Sequence, residues 1–230
     1  MLSSYNLPSP MGMSKEEIVE LLLKEEYGYF PSRPESVSAT VLETNTAFCA
    51  GKGDLQKMSL LCKGDFGEFS FPFYYICPKD QNGKIPAFIH INFTDLVPDK
   101  YQPTEELIDA GYAVILFCYK DVTSDDGDFK NGFAGVLYPD GKRTPHSTGK
   151  IGMWACAAMA LLDYAMTLPE LDHDCISVIG HSRLGKTALL AGALDERFFC
   201  AISNDSGCSG ASLSRDNTGE TIKKIIDRFP

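Results

Sequence analysis

No stretch of this 230-residue chain approaches the ~18–20 consecutive apolar residues that a membrane span requires. The longest apolar run, Met153 to Leu162, suits a buried helix face, so no membrane partner is expected. The N-terminus, MLSSYNLPSPMGMSKEE, lacks a basic segment followed by an apolar one. The pattern of a secretory signal is therefore missing, which points to a cytoplasmic protein. Positive charge is also short: 21 Lys and Arg stand against 31 Asp and Glu, for a net charge of −10. Proteins that hold nucleic acid neutralise phosphates with Lys and Arg, so a nucleic-acid partner is excluded. The acidic residues are spread out, as on a solvated surface. Among eight cysteines there is no C-x-x-C, and none of the four histidines lies at a ligand interval from two of them. A structural zinc site and a disulfide framework are both disfavoured, and the cysteines read as small buried hydrophobes with free thiols.

What is present is apolar material sufficient for one α/β domain: 44% of residues are hydrophobic and 11% aromatic. Residues 1–35 read as a leader and a helix packed on the outside of the domain. In that segment Ser14 and Glu17 form a capping box for a helix from Lys15 to Glu26, ended by Gly28 and Pro31. From residue 36 to 230 the pattern is that of the domain itself. Val37 to Thr44, Leu55 to Cys62 and Glu68 to Cys77 alternate as antiparallel strands. Pro86 to Phe93 and Tyr112 to Tyr119 are nearly continuous apolar runs, as in parallel strands covered on both faces, with a short helix at Thr104 to Ala110 between them. Lys120 to Arg143, rich in Asp and Gly, reads as a long loop near the functional edge of the sheet. A helix from Lys150 to Leu168, stopped by Pro169, precedes the strand Cys175 to Ile179. The order predicts an α/β-hydrolase-type mixed, mostly parallel sheet with helices on both faces.

After that last strand comes Gly180-His181-Ser182-Arg183-Leu184-Gly185-Lys186, followed by the Ala/Leu-rich helical run Thr187 to Leu194. A serine at an abrupt strand-to-helix turn is held in strained geometry with its hydroxyl exposed above the sheet edge, a nucleophile elbow. The first N–H groups of the helix face whatever it attacks. Arg183 can add a backbone N–H and a guanidinium to a developing oxyanion. Extended to GHSRLGKT, the same residues also fit a phosphate-binding P-loop, with Lys186 on the β/γ-phosphates and Thr187 on Mg²⁺. That motif normally follows an early strand and needs a later strand ending in Asp, and the one such strand, Phe198 to Asp205, carries polar Ser203 and Asn204 just before the Asp.

The elbow departs from the common G-x-S-x-G: Leu184 stands at the final glycine position and Gly185 follows it. G-x-S-R-x-G-K resembles the glucuronoyl esterases and their acetylxylan-esterase-like relatives. The similarity extends through Ala191 to Phe198, Ser203 to Ala211 and the helix Ile151 to Tyr164. The resemblance implies a serine carbohydrate esterase that hydrolyses a carboxylic ester of a plant-wall sugar, a 4-O-methyl-glucuronoyl ester or acetylated xylan. The reaction would pass through an acyl-enzyme without metal, nucleotide or other cofactor. It implies Ser182 as nucleophile, Arg183 as oxyanion stabiliser and Lys186 as a contact for sugar hydroxyls. Asp205 falls where part of the family carries the acid of the triad as Glu, although an Asp after a core strand also suits a turn or helix cap. Where several members have a sugar-stacking tryptophan, this chain has Ser214.

In α/β-hydrolases the catalytic histidine follows the serine and the acid. Here no histidine follows His181, which is expected to pack under the turn, and His90, His146 and His173 all precede it. Only 48 residues follow Ser182, whereas such a sheet continues for several strands. The C-terminal strands and the base are therefore expected to be missing from this chain. Two functions follow: an esterase whose base lies beyond this chain, or a catalytically incomplete hydrolase that serves as a binding module. An incomplete sheet edge near Phe199 to Asn204 would favour self-association.

Overall fold

A computed structural model describes residues 12–79, 81–213 and 219–228. The leader before Gly12 and Ser214 lie outside the described residues. Among the described residues one seven-stranded sheet, with strand order β1-β2-β3-β5-β4-β6-β7, organises the fold. Strands β1 (Ser36–Phe48), β2 (Gly53–Gly64) and β3 (Gly67–Pro78) form an antiparallel meander. They are longer than the alternating segments predict, because pairing carries the ladder into polar ends such as Lys63 opposite Glu68. The meander joins β5 (Ala113–Cys118) antiparallel through β3. From there β4 (Ile85–Asn92), β6 (Leu171–His181) and β7 (Cys200–Asn204) run parallel. Of the six pairings, three are antiparallel and three are parallel.

Strand β5 is buried along its whole length, as its unbroken apolar run requires. On one face, Ile89, Ile91, Ile115, Phe117 and Val178 pack beneath α5 (Lys150–Ala165) and α6 (Arg183–Leu194). On the other, Phe48, Ile76, Val114 and Leu116 pack with Ile108 of α2 (Thr104–Asp109). The alanines of α5 bring that helix close to the sheet, and Trp154 and Met153 are fully buried beside them.

Near the N-terminus, α1 (Lys15–Leu22) carries the predicted capping box, and its last turn widens into a π turn at Leu23–Tyr27 that ends at Gly28. The segment then lies against the domain: the Tyr29 N–H donates to the His146 carbonyl (2.8 Å) and the Gly149 N–H to the Tyr27 carbonyl (2.9 Å).

The expected loop from Lys120 to Arg143 is not structureless. It includes most of α3 (Tyr119–Val122) and all of α4 (Gly132–Leu137), because its scattered apolar residues find the core. Phe133 packs on Phe66 and Phe69, with ring centroids 5.2 and 5.1 Å away. The cysteines are all free, but only Cys62, Cys118 and Cys208 are buried, and Cys200, at the start of the outermost strand, is exposed. Burial pushes the Cys62 thiol up to about 12. Among the described residues no helix is long and apolar enough to cross a membrane.

Phe117 is fully buried in the central strand, with its ring 5.7 Å from that of Phe71. Phe117→Ala should therefore cost about 3–5 kcal/mol of stability through lost transfer energy and the cavity left behind. Urea unfolding monitored by circular dichroism measures this, and a loss below about 1 kcal/mol would mean that the two layers do not meet as described.

Candidate active site

Strand β6 ends at His181, and α6 begins at Arg183. One residue, Ser182, makes the reversal, at φ 57° and ψ −124°. A non-glycine residue there is strained, at a cost on the order of 1–3 kcal/mol, and persists only when its surroundings hold it. They do so from both sides. The Ser182 N–H donates to the Asn204 carbonyl of β7 (2.9 Å), while the Ser182 carbonyl accepts from Gly185 N–H (2.9 Å) and Lys186 N–H (3.2 Å). Gly180 makes the turn sterically possible: a Cβ on it would lie 2.2 Å from the Leu184 carbonyl oxygen. The helix thus backs directly onto the strand. Because Gly185 and Lys186 N–H are spent on Ser182, they are not arrayed around a phosphate as a P-loop demands. Arg183 stands at the first position of that helix.

The structure brings the four predicted site residues to this end of the sheet. Register pairs His181 with Asn204, so Asp205 follows β7 directly beside Ser182. Its backbone is left-handed at φ 47°, its side chain is exposed, and it makes no hydrogen bond among the described residues. Arg183 turns toward the loop after α3, where its Nη1 donates to Asp125 Oδ2. Lys186 is buried rather than solvated, and its ammonium lies 3.1 Å from Glu220 Oε2. That same carboxylate oxygen accepts from the Cys208 N–H (3.1 Å).

The histidines scatter. His181 packs as expected, its ring stacked on Tyr101 (6.0 Å) and edge-on to Phe93 (6.1 Å), with Nδ1 buried and unpartnered among the described residues. His146 is exposed, and its Nδ1 donates to the Lys24 carbonyl (3.1 Å). His173 lies near the start of β6, bonded to the Leu168 carbonyl (2.9 Å). It lies between Leu171, opposite Ile85, and Ile176, opposite Ala87, so at ~3.3 Å per residue it is roughly 15–20 Å down the strand from Gly180, opposite Ile91. His90 pairs with Ile179 in register and is 7% exposed. Burial lowers its pKa to about 4, against a smaller opposing pull from Asp99. Among the described residues Ser182 Oγ has no hydrogen-bond partner, histidine or otherwise.

Sequence reasoning placed the 120–143 segment at the functional edge but singled out none of its residues. Asp125 and Tyr119, whose hydroxyl donates to Asp125 Oδ2 (3.1 Å), were missed, as was Glu220. The one available signal was the concentration of Asp in that segment.

A seven-stranded mixed sheet whose parallel strand delivers a strained serine to the first turn of a helix defines an α/β-hydrolase. The family model for fungal glucuronyl esterases matches residues 64–225. The chain belongs to the glucuronyl esterase family. It is 41% identical over 128 residues to the carbohydrate esterase MZ0003 of an unknown prokaryotic organism, covering 55% of this chain and 30% of that protein. It is 27% identical over 218 residues to the 4-O-methyl-glucuronoyl methylesterase of Podospora anserina, covering 91% of this chain and 40% of that protein. The glucuronoyl esterase structure from Teredinibacter turnerae superposes with a TM-score of 0.80 at 25% identity, over 94% of this chain and 56% of that one. That from Solibacter usitatus gives 0.79 at 25% identity, over 96% and 65%. The chain thus spans less than half the length of these curated relatives.

Gly180→Ala should destabilise the protein by about 3 kcal/mol, the upper part of the overpacking range, since the atom displaced is backbone. A urea midpoint unchanged from wild type would contradict the close approach. His90 supplies a pH test. Its folded pKa lies below its unfolded value, so between pH 6.5 and about 4 the unfolded state binds more protons. Stability fully present above pH 6.5 should be lost as pH falls through this window, by roughly 3 kcal/mol from His90. His90→Gln should flatten the dependence, and parallel curves for the two proteins would show that His90 is not buried in its neutral form.

Proposed function

We propose that the protein is a serine esterase acting on a carboxylic ester of a sugar acid, a 4-O-methyl-glucuronoyl ester. The observation that carries this reading is the backbone of Ser182, a strained serine between the end of a parallel strand and the first N–H of a helix. Ser182 Oγ attacks the ester carbonyl carbon. The carbonyl electrons move onto oxygen, where the Arg183 N–H and guanidinium meet the charge as it develops. Collapse of the tetrahedral intermediate breaks the bond to the alcohol oxygen, which takes up the proton that Ser182 Oγ gave to the general base, and leaves an acyl-serine that water hydrolyses to the free acid and a restored Ser182 hydroxyl. Lys186, held beside Glu220, is a cation and hydrogen-bond donor for the sugar. Asp205 is the acid of the triad. The general base is the one component that the described residues do not bring to Ser182 Oγ. The names of the relatives support the uronate ester over the acetyl ester of xylan.

Ser182→Ala should abolish hydrolysis of the methyl ester of 4-O-methyl-glucuronate, and Arg183→Ala should lose about 2.7–4 kcal/mol of transition-state stabilisation. Steady-state release of methanol measures both, with acetylated xylan run in parallel. Release that survives Ser182→Ala would end the esterase reading, and faster release of acetate than of methanol would move the substrate to acetylated xylan.

A further inference from the structure

Three carboxylates follow α3 in quick succession, and they do not behave alike. Asp126 and Asp128 turn back into their own loop: Ser124 Oγ donates to Asp126 Oδ1 (2.6 Å) and Lys130 N–H to Asp128 Oδ1 (2.8 Å). Asp125 reaches out of the loop to Arg183, 58 residues away, and its side chain is only 11% exposed. The backbone that aims it is fixed by α5. The Lys150 ammonium donates to Thr123 Oγ1 (2.9 Å) and the Asp128 carbonyl (2.5 Å), and Trp154 Nε1 to the Thr123 carbonyl (3.3 Å). Asn131 closes the loop, accepting from Ser124 N–H (2.9 Å) and donating to Ser124 Oγ (2.7 Å). The Tyr119 hydroxyl adds a second donor to Asp125 Oδ2, and its ring packs edge-on against Trp154 at 4.9 Å.

A guanidinium on a long side chain has many rotamers, and only a few of them place its N–H groups over an oxyanion beside Ser182. A carboxylate held by a rigid loop selects among those rotamers and fixes the plane of the fork. We propose that Asp125 is a positioning residue that holds the Arg183 guanidinium over the ester oxyanion, aimed by the loop that α5 clamps through Lys150 and Trp154. The proposal rests on the esterase reading of Ser182 and adds to it the group through which Arg183 is preorganised.

The test is a double-mutant cycle on the full chain with the uronate methyl ester. Asp125→Asn should lower kcat roughly 100-fold, the scale of a small misplacement of a reacting group, with KM changed less than about twofold. In the Arg183→Ala background the same substitution should have almost no further effect, because the group it positions is gone. Asp125→Glu should restore part of kcat. A loss of equal size in both backgrounds, or a rise in KM with kcat unchanged, would overturn the proposal. The anchoring is read separately, without turnover, from the rate at which phenylglyoxal modifies Arg183, followed by peptide mass spectrometry with Arg33 as internal control. Asp125→Asn should speed modification of Arg183 several-fold and leave Arg33 unchanged, and an unchanged Arg183 rate overturns the proposal whatever the activity. Turnover independent of Ser182 together with faster Arg183 modification would locate the failure in the esterase reading instead.

Discussion

Helix α6 touches strand β6 at Gly180, where the Leu184 carbonyl occupies the space any other side chain would need. The rest of the site depends on that contact. With helix and strand so close, the chain has one residue in which to reverse, and Ser182 takes a backbone conformation it would not otherwise hold. The strain is offset locally by hydrogen bonds to β7 and to the first turn of α6, and more broadly by packing of Leu184, Ala188 and Ala191 into the core with α5. Gly185 faces the same restriction from the other side, since a Cβ there would lie 3.1 Å from both the Asn204 and Gly180 carbonyl oxygens. The two glycines and the serine therefore act as one steric unit, in which Ser182 stays half-buried at the turn while Leu184 and Gly185 beside it are buried.

Around that unit the charged groups are set by burial. Asp195, 2% exposed at the end of α6, is held by Arg33 (3.0 Å) and Arg197 (2.7 Å), and Arg197 continues to Asp163 of α5 (2.5 Å). This ties the N-terminal segment, the two helices and the turn before β7 into one network, and the pairing with Arg197 draws the Asp195 carboxylate below its ordinary range against the effect of burial. Further along the N-terminal segment, the Tyr27 hydroxyl donates to the Ser209 carbonyl (2.8 Å), so the segment that precedes the sheet also braces the chain that follows β7. Lys186 is sequestered by the same packing. Its ammonium faces Glu220 rather than water.

Much of this was legible without coordinates. Hydrophobic runs of period two and unbroken runs separated the antiparallel from the parallel strands. The capping box at Ser14 and the stop at Pro169 marked helix ends within a few residues. The elbow announced itself through small residues flanking a serine between a strand and a helix. The segment from Lys120 to Arg143 was less legible, because its apolar residues have no period and bury only against distant partners, Phe133 against Phe66 and Phe69. Cys200 in the open was misjudged for the same reason: burial depends on which neighbour is present.

By itself the sequence determined the local chemistry: where the backbone must be glycine, which serine stands at the reversal, and which arginine follows it. These are decided by residues within a few positions of one another, where steric rules and hydrogen-bond geometry act directly along the chain. Tertiary structure alone decided that Arg183 meets Asp125, that Lys186 meets Glu220, that Asp205 emerges beside Ser182, that His90 is buried in the core, and that His146 bonds the N-terminal segment. Those pairings join residues as much as 122 positions apart and follow from strand order and loop anchoring, which no local pattern encodes.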